Sequence, residues 1–185
     1  MNDFKKSLRE EYKLRSDVEN RKEKEKAITD LLINSDLFSN ADTVFLYASE
    51  KKEVSTENIA LEAERIGKKT AYPFCENKNG EMCFYLSNRN ELKKGMYGIS
   101  EPDTQNAKKA YFTEKSLCIV PGVAFSKRGE RLGRGKGYYD RFLSEFKGKT
   151  VALSFEETLC ENIPTEEHDV KINYLVTEKM IYKTE

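Results

Sequence analysis

Short apolar runs alternating with helix-patterned stretches predict an α/β layered fold with a largely parallel sheet. Three observations carry this expectation. Val44–Ala48, Leu117–Val120 and Val151–Phe155 are apolar and rich in strand formers. Between such runs, apolar residues recur at helical spacing, as in Ile28, Leu31 and Leu32 or Ile59, Ala60, Ala63 and Ile66. Gly67, Pro121-Gly122 and Gly148 then punctuate the pattern. With 185 residues, the chain suits one domain over 1–185. A chain of this length buries roughly 70% of its unfolded surface, enough to fold without a disulfide or structural metal.

Residues 3–15 read as a helix with Phe4, Leu8 and Tyr12 on one face. Ser16-Asp17-Val18-Glu19 has the capping-box form and predicts that a second helix starts there. The alternating charges from Arg21 to Lys26 are a solvated face of that helix. After the strand at Val44–Ala48, Thr56 is placed to cap a helix that Gly67 ends. Thr70–Pro73 and Met82–Leu86 read as strands joined by a hairpin at Asn79-Gly80. Residues 90–110, with Gly95, Gly98 and Pro102, read as loop. Pro121-Gly122 stops the strand at Leu117–Val120. A helix is expected over Tyr138–Phe146 and strands at Val151–Phe155 and Tyr174–Thr177. Ligands in such sheets bind at the carboxyl ends of strands, which points to the segment after Val120.

Lys plus Arg equals Asp plus Glu at 32 each, so attraction for anions must be local. That balance and the absence of RNP or KH signatures argue against a nucleic-acid partner. The four cysteines form no C-x-x-C pair, and no apolar run approaches the roughly 18 residues of a membrane span. A reduced, cytoplasmic protein with no membrane partner is expected. His168 is the one histidine, which weakens triad and His-ligated zinc chemistry.

Local positive charge is concentrated between Lys127 and Lys136, with five basic residues against one acid. Within it, Gly133, Gly135 and Gly137 alternate with Arg134 and Lys136, and a helix follows at once. Glycines let several N–H groups converge, a helix N-terminus adds more, and Arg and Lys add charge. Together they predict a polyphosphate cradle, though neither Walker A nor G-x-G-x-x-G spacing is met. Asp140 fits two readings, a Mg2+ ligand beside bound phosphate or a first-turn acid favoured by the helix dipole. Tyr138 and Tyr139 fit either a stacking platform or the core.

The strings Pro121–Phe125, Arg131-Leu132-Gly133-Arg134-Gly135-Lys136-Gly137-Tyr138-Tyr139-Asp140 and Lys6-Ser7-Leu8-Arg9 closely resemble the 5-formyltetrahydrofolate cyclo-ligase family. Glu53-Val54 with Thr56, Tyr97-Gly98-Ile99 with Glu101-Pro102, and His168-Asp169 extend the resemblance from about Lys5 to Thr177. The resemblance implies a Rossmann-like three-layer sandwich of the NagB/RpiA/CoA-transferase-like kind. It also implies a C–N bond-forming ligase that uses ATP and Mg2+ on 5-formyltetrahydrofolate. Lys5, Lys6, Ser7, Leu8 and Arg9, together with Arg131 to Tyr139, would contact ATP. Ala48, Glu53 and the stretch Arg134, Gly135, Lys136, Gly137 and Tyr138 would contact the folate. Asp140 and Asp169 match the metal positions, a pairing that spacing alone does not suggest. Lys136, Arg134 and Tyr139 are the candidate catalytic residues. Ser126 departs from the family, whose members often carry Asp there. A monomer is expected, and basic residues near the site suit a polyglutamated substrate. A small-molecule kinase using the same cradle is the alternative enzyme.

Overall fold

The computed structural model describes residues 2–14, 17–77, 81–95 and 98–184. Among them, seven strands form one sheet in the order β11-β10-β9-β6-β1-β2-β3. These are β1 (Thr43–Phe45), β2 (Lys69–Cys75), β3 (Met82–Leu86), β6 (Ser116–Val120), β9 (Lys149–Leu153), β10 (Tyr174–Val176) and β11 (Ile181–Lys183). The five inner strands run parallel, and β3 and β11 close the edges antiparallel. Two small hairpins stand apart, β4 (Lys93–Lys94) with β5 (Ser100–Glu101) and β7 (Ala124–Phe125) with β8 (Arg131–Leu132).

Side chains alternate across a strand, so a sheet buried on both faces needs apolar residues at every position. Val44, Leu117, Ile119, Val151 and Leu153 enter one core cluster; Phe45, Cys118, Val120 and Ala152 enter the other. Helices α2 (Arg21–Ile33), α3 (Asp36–Ser39) and α4 (Glu57–Arg65) cover the first face through Ile28, Leu32, Phe38, Ile59, Ala60 and Ala63. Helix α5 (Tyr138–Glu145) covers the second through Leu143, with Phe142 and Phe146 in an aromatic group with Phe45, Phe84 and Phe112. This is the expected α/β sandwich with a largely parallel sheet.

Several local expectations are corrected. Ser16 and the Asn79-Gly80 turn lie outside the described residues. The second helix starts at Arg21 rather than in the Ser16–Glu19 stretch. Its N-cap, Asn20, is left-handed at φ 52°, a conformation Asn tolerates, and its carbonyl accepts from Glu23 and Lys24. Thr56 sits at the start of α4, but its hydroxyl donates to the Tyr47 carbonyl at 2.7 Å instead of capping. Ile66 falls at the helix end and is exposed rather than core. The first strand pairs only as far as Phe45. Leu46–Ala48 stay buried while the chain turns toward Glu53. The sequence pattern missed β11 and the β7–β8 hairpin. In that hairpin Gly129 takes φ 80°, and a Cβ there would meet the Ile172 carbonyl oxygen at 2.5 Å.

Helix α1 (Asn2–Leu14) lies off the sheet. Leu8 and Tyr12, one turn apart, pack with Ala124 and Leu132 of the β7–β8 hairpin and with Cys160 and Ile163. The helix is thereby fixed beside the segment that follows β6.

Candidate active site

The basic glycine segment runs from β8 directly into α5, past the carboxyl end of β6. Gly135 and Gly137 take φ 92° and 68°, and Gly137 is the left-handed N-cap of α5. Side chains other than Gly are strained there, so the sequence pattern and the backbone agree. Arg9 of α1 donates through Nε to the Gly133 carbonyl at 2.7 Å, and its guanidinium passes close to Gly135. On the other side of the loop, the Tyr138 hydroxyl donates to the Asn77 carbonyl at 2.7 Å.

Each basic residue of the loop has its own setting. Arg131 is nearly sealed, with a side chain 6% exposed, and pairs with Asp140 at 2.8 Å. It also lies 5.8 Å from the centre of the Tyr139 ring. Arg134 is half exposed and reaches out of the loop to two carboxylates that follow β1, Glu50 and Glu53. Lys136 is exposed, and its carbonyl accepts from Arg141 at 2.6 Å.

Glu53 is 13% exposed, and its Oε2 accepts the Glu50 N–H at 3.0 Å. Burial raises its pKa; the backbone N–H and the Arg134 guanidinium oppose that without cancelling it. The Tyr139 hydroxyl is raised well above the ordinary phenol value by burial, with Cys118 and Glu53 adding to it. Among the described residues, three buried side-chain polar atoms have no hydrogen-bond partner: the Tyr139 hydroxyl, the Arg131 Nε and, in the first core cluster, the Tyr72 hydroxyl. Two of the three belong to the Arg131–Tyr139 contact beside the loop.

The carboxylates that the resemblance matches to metal positions come from distant parts of the chain. Asp140 is in the first turn of α5, and its Oδ1 lies 3.5 Å from the N–H of Val170, the residue after Asp169. Asp169 pairs with Lys5 of α1 at 2.7 Å and accepts the Glu166 N–H at 2.8 Å. Burial acts upward on Asp169, but Lys5 and the Glu166 N–H outweigh it and hold its pKa below the usual value. Both offer hard oxygens of the kind Mg2+ takes, although Oδ1 of Asp140 is engaged by Arg131 and Oδ2 of Asp169 by Lys5. Among the described residues no three His, Cys, Asp or Glu side chains could close around a metal. Two carboxylates would thus leave the remaining positions to waters and phosphate oxygens.

The structure brings Lys5, Arg9, Glu53, Arg131, Arg134, Tyr138, Tyr139, Asp140 and Asp169 around one loop. It leaves others aside. On α1, Lys5, Leu8 and Arg9 face inward, whereas Lys6 and Ser7 are exposed. Leu8 and Leu132 are apolar packing beneath the helix, and Ala48 is buried in the first core cluster. Tyr97 lies outside the described residues. Sequence reading missed Glu50, Asn77 and Glu166. The first two contact the loop across long chain separations, and Glu166 joins it through Lys5. No local spacing marks any of them.

Comparison with known proteins shows the family of the chain. Residues 2–178 match the profile of the 5-formyltetrahydrofolate cyclo-ligase family. A mouse 5-formyltetrahydrofolate cyclo-ligase is 31% identical, covering 96% of this chain and 95% of that protein. A Haemophilus influenzae protein of the same name is 29% identical over 80% of this chain and 82% of its own length. The NMR structure of Aquifex aeolicus 5,10-methenyltetrahydrofolate synthetase superposes with a TM-score of 0.83 at 29% identity, covering 97% of this chain and 92% of that one. A fold built around the carboxyl end of β6, a cationic glycine turn and a match along nearly the whole length lead to one assignment: this chain belongs to the 5-formyltetrahydrofolate cyclo-ligase family.

Proposed function

We propose that this enzyme converts 5-formyltetrahydrofolate to 5,10-methenyltetrahydrofolate with ATP and Mg2+, releasing ADP and phosphate. The observation that carries the reading is the cationic glycine turn itself: Gly135 and Gly137 take positive φ at the N-terminus of α5, with Arg134 and Lys136 exposed beside them. Phosphate oxygens are acceptors only, and they match what that turn presents.

The N5-formyl group is an amide and a poor electrophile, and its oxygen would have to leave as water. Phosphorylation solves both problems. The formyl oxygen attacks the γ-phosphorus, the bond to the bridging oxygen breaks, and ADP leaves. The resulting N5-iminium phosphate is electrophilic at the formyl carbon. N10 adds there and loses its proton. The carbon–oxygen bond then breaks, and inorganic phosphate departs with the oxygen.

Such chemistry asks the protein mainly for positioning and charge stabilisation. Arg134, Lys136 and the loop amides hold phosphate, and Lys5 and Arg9 bring α1 over it. Glu53 accepts N–H bonds from the pterin edge. A magnesium ion held by Asp140 and Asp169 would supply charge neutralisation on the phosphate oxygens. Tyr139 stays neutral because burial suppresses its ionisation, so it serves as a donor.

The test mixes enzyme, Mg-ATP and 5-formyltetrahydrofolate and follows the methenyl chromophore in the near ultraviolet with phosphate release. One phosphate released per chromophore is expected. A stable phosphorylated product without ring closure would instead establish a kinase.

A further inference from the structure

Arg134 leaves the glycine loop to bond two carboxylates, Glu50 and Glu53. Both bonds come from its Nη2, so a phosphate group taken up at that nitrogen has to displace a carboxylate. Glu53 has a place in the reading above, as the pterin acceptor. Glu50 has none: it is half exposed, follows β1, and binds nothing else through its side chain among the contacts described. We propose that Glu50 is a positioning residue that competes with phosphate for the Arg134 Nη2, so that phosphate binding at that nitrogen requires Arg134 to exchange partners. This rests on the phosphate-loop reading and adds to it a residue that works against nucleotide binding.

The geometry makes the exchange easy. Arg134 is 53% exposed and Glu50 45%, so this pair contributes little and exchanges readily, whereas Glu53, 13% exposed, is the firmer partner. A polyphosphate offers a stronger, charge-assisted acceptor. The Glu50 backbone, in contrast, is fixed by its N–H bond to the buried Glu53 carboxylate. The competing acid is therefore built into the loop after β1 rather than sampled by a free side chain. Removing the Glu50 charge frees Arg134 from one of its two partners before nucleotide arrives.

The experiment is a double-mutant cycle read by calorimetric titration with a non-hydrolysable ATP analogue, adenylyl imidodiphosphate, and Mg2+. The proteins are wild type, Glu50→Gln, Arg134→Gln and the double variant. Glu50→Gln is expected to tighten binding about two- to fivefold. Arg134→Gln should weaken it, and the double variant should match Arg134→Gln alone. Unchanged or weaker binding by Glu50→Gln, with Arg134→Gln still weak, overturns the competing role and leaves the loop reading intact. An equal gain from Glu50→Gln in both backgrounds also overturns it, because the charge then acts through space and not through Arg134. Wild-type affinity in Arg134→Gln removes that arginine from the phosphates and sinks both readings.

Discussion

Arg131 and Arg134 stand three residues apart in one loop, yet their surroundings give them opposite work. Arg131 is sealed against Tyr139 and paired with Asp140, an acid only 18% exposed. Arg134 reaches into solvent and shares two carboxylates from a different loop. A buried ion pair is costly to break, since the survivor is left charged without compensation. An exposed pair, such as Arg134 makes with Glu50, contributes little and exchanges readily; the bond to Glu53, 13% exposed, is the firmer of its two. A run of basic residues is thus not uniform: one arginine is sealed in place, and its neighbour is held in part by an exposed, exchangeable acid.

Four variants test that division. The largest effect is expected from Lys136→Ala, where losing an exposed charge at the transferring phosphate should lower kcat by about 10²–10³. Thermal unfolding should stay at the wild-type midpoint; near-normal turnover would remove the loop from the chemistry. Arg131→Met comes next and strikes stability. Leaving Asp140 without its partner should cost about 3–5 kcal/mol in urea unfolding. A loss under 1 kcal/mol would place Arg131 with the exchangeable charges. Gly135→Ala probes the backbone between the two arginines. At φ 92°, with a Cβ 3.3 Å from the Arg9 guanidinium, it should lose about 1–3 kcal/mol and weaken nucleotide binding. Unchanged affinity would mean that the left-handed turn is not needed for the cradle.

The smallest effect is expected at the α1 contact. The folded pKa of Asp169 is depressed, so its contribution to stability is present above the unfolded carboxylate value of about 3.9 and is lost as pH falls through the folded one. Asp169→Asn should therefore flatten part of the acid limb of a stability profile below about pH 4 and leave its shape near neutrality unchanged. An identical acid limb in the variant would show that the Lys5 pair contributes nothing to folding.

Legibility in the sequence followed locality. The apolar runs that became β1, β6 and β9 were readable because both faces of the sheet are covered. The glycine turn was readable because φ above zero selects glycine. The capping role of Thr56 failed because its hydroxyl found a tertiary acceptor at Tyr47. The β7–β8 hairpin failed because its strands are two residues long, too short to show alternation.

By itself the sequence determined the α/β layering, the place of the cationic turn at a strand end and the family resemblance, all of which depend on residues close in the chain. Only the tertiary structure decided which charge meets which. Lys5 with Asp169, Arg9 with Gly133 and Arg134 with Glu50 and Glu53 join segments 164, 124, 84 and 81 residues apart. Side-chain pairing acts over a few ångströms in space and carries no trace in the spacing of the chain, so those partners become known only once the sheet has brought their loops together.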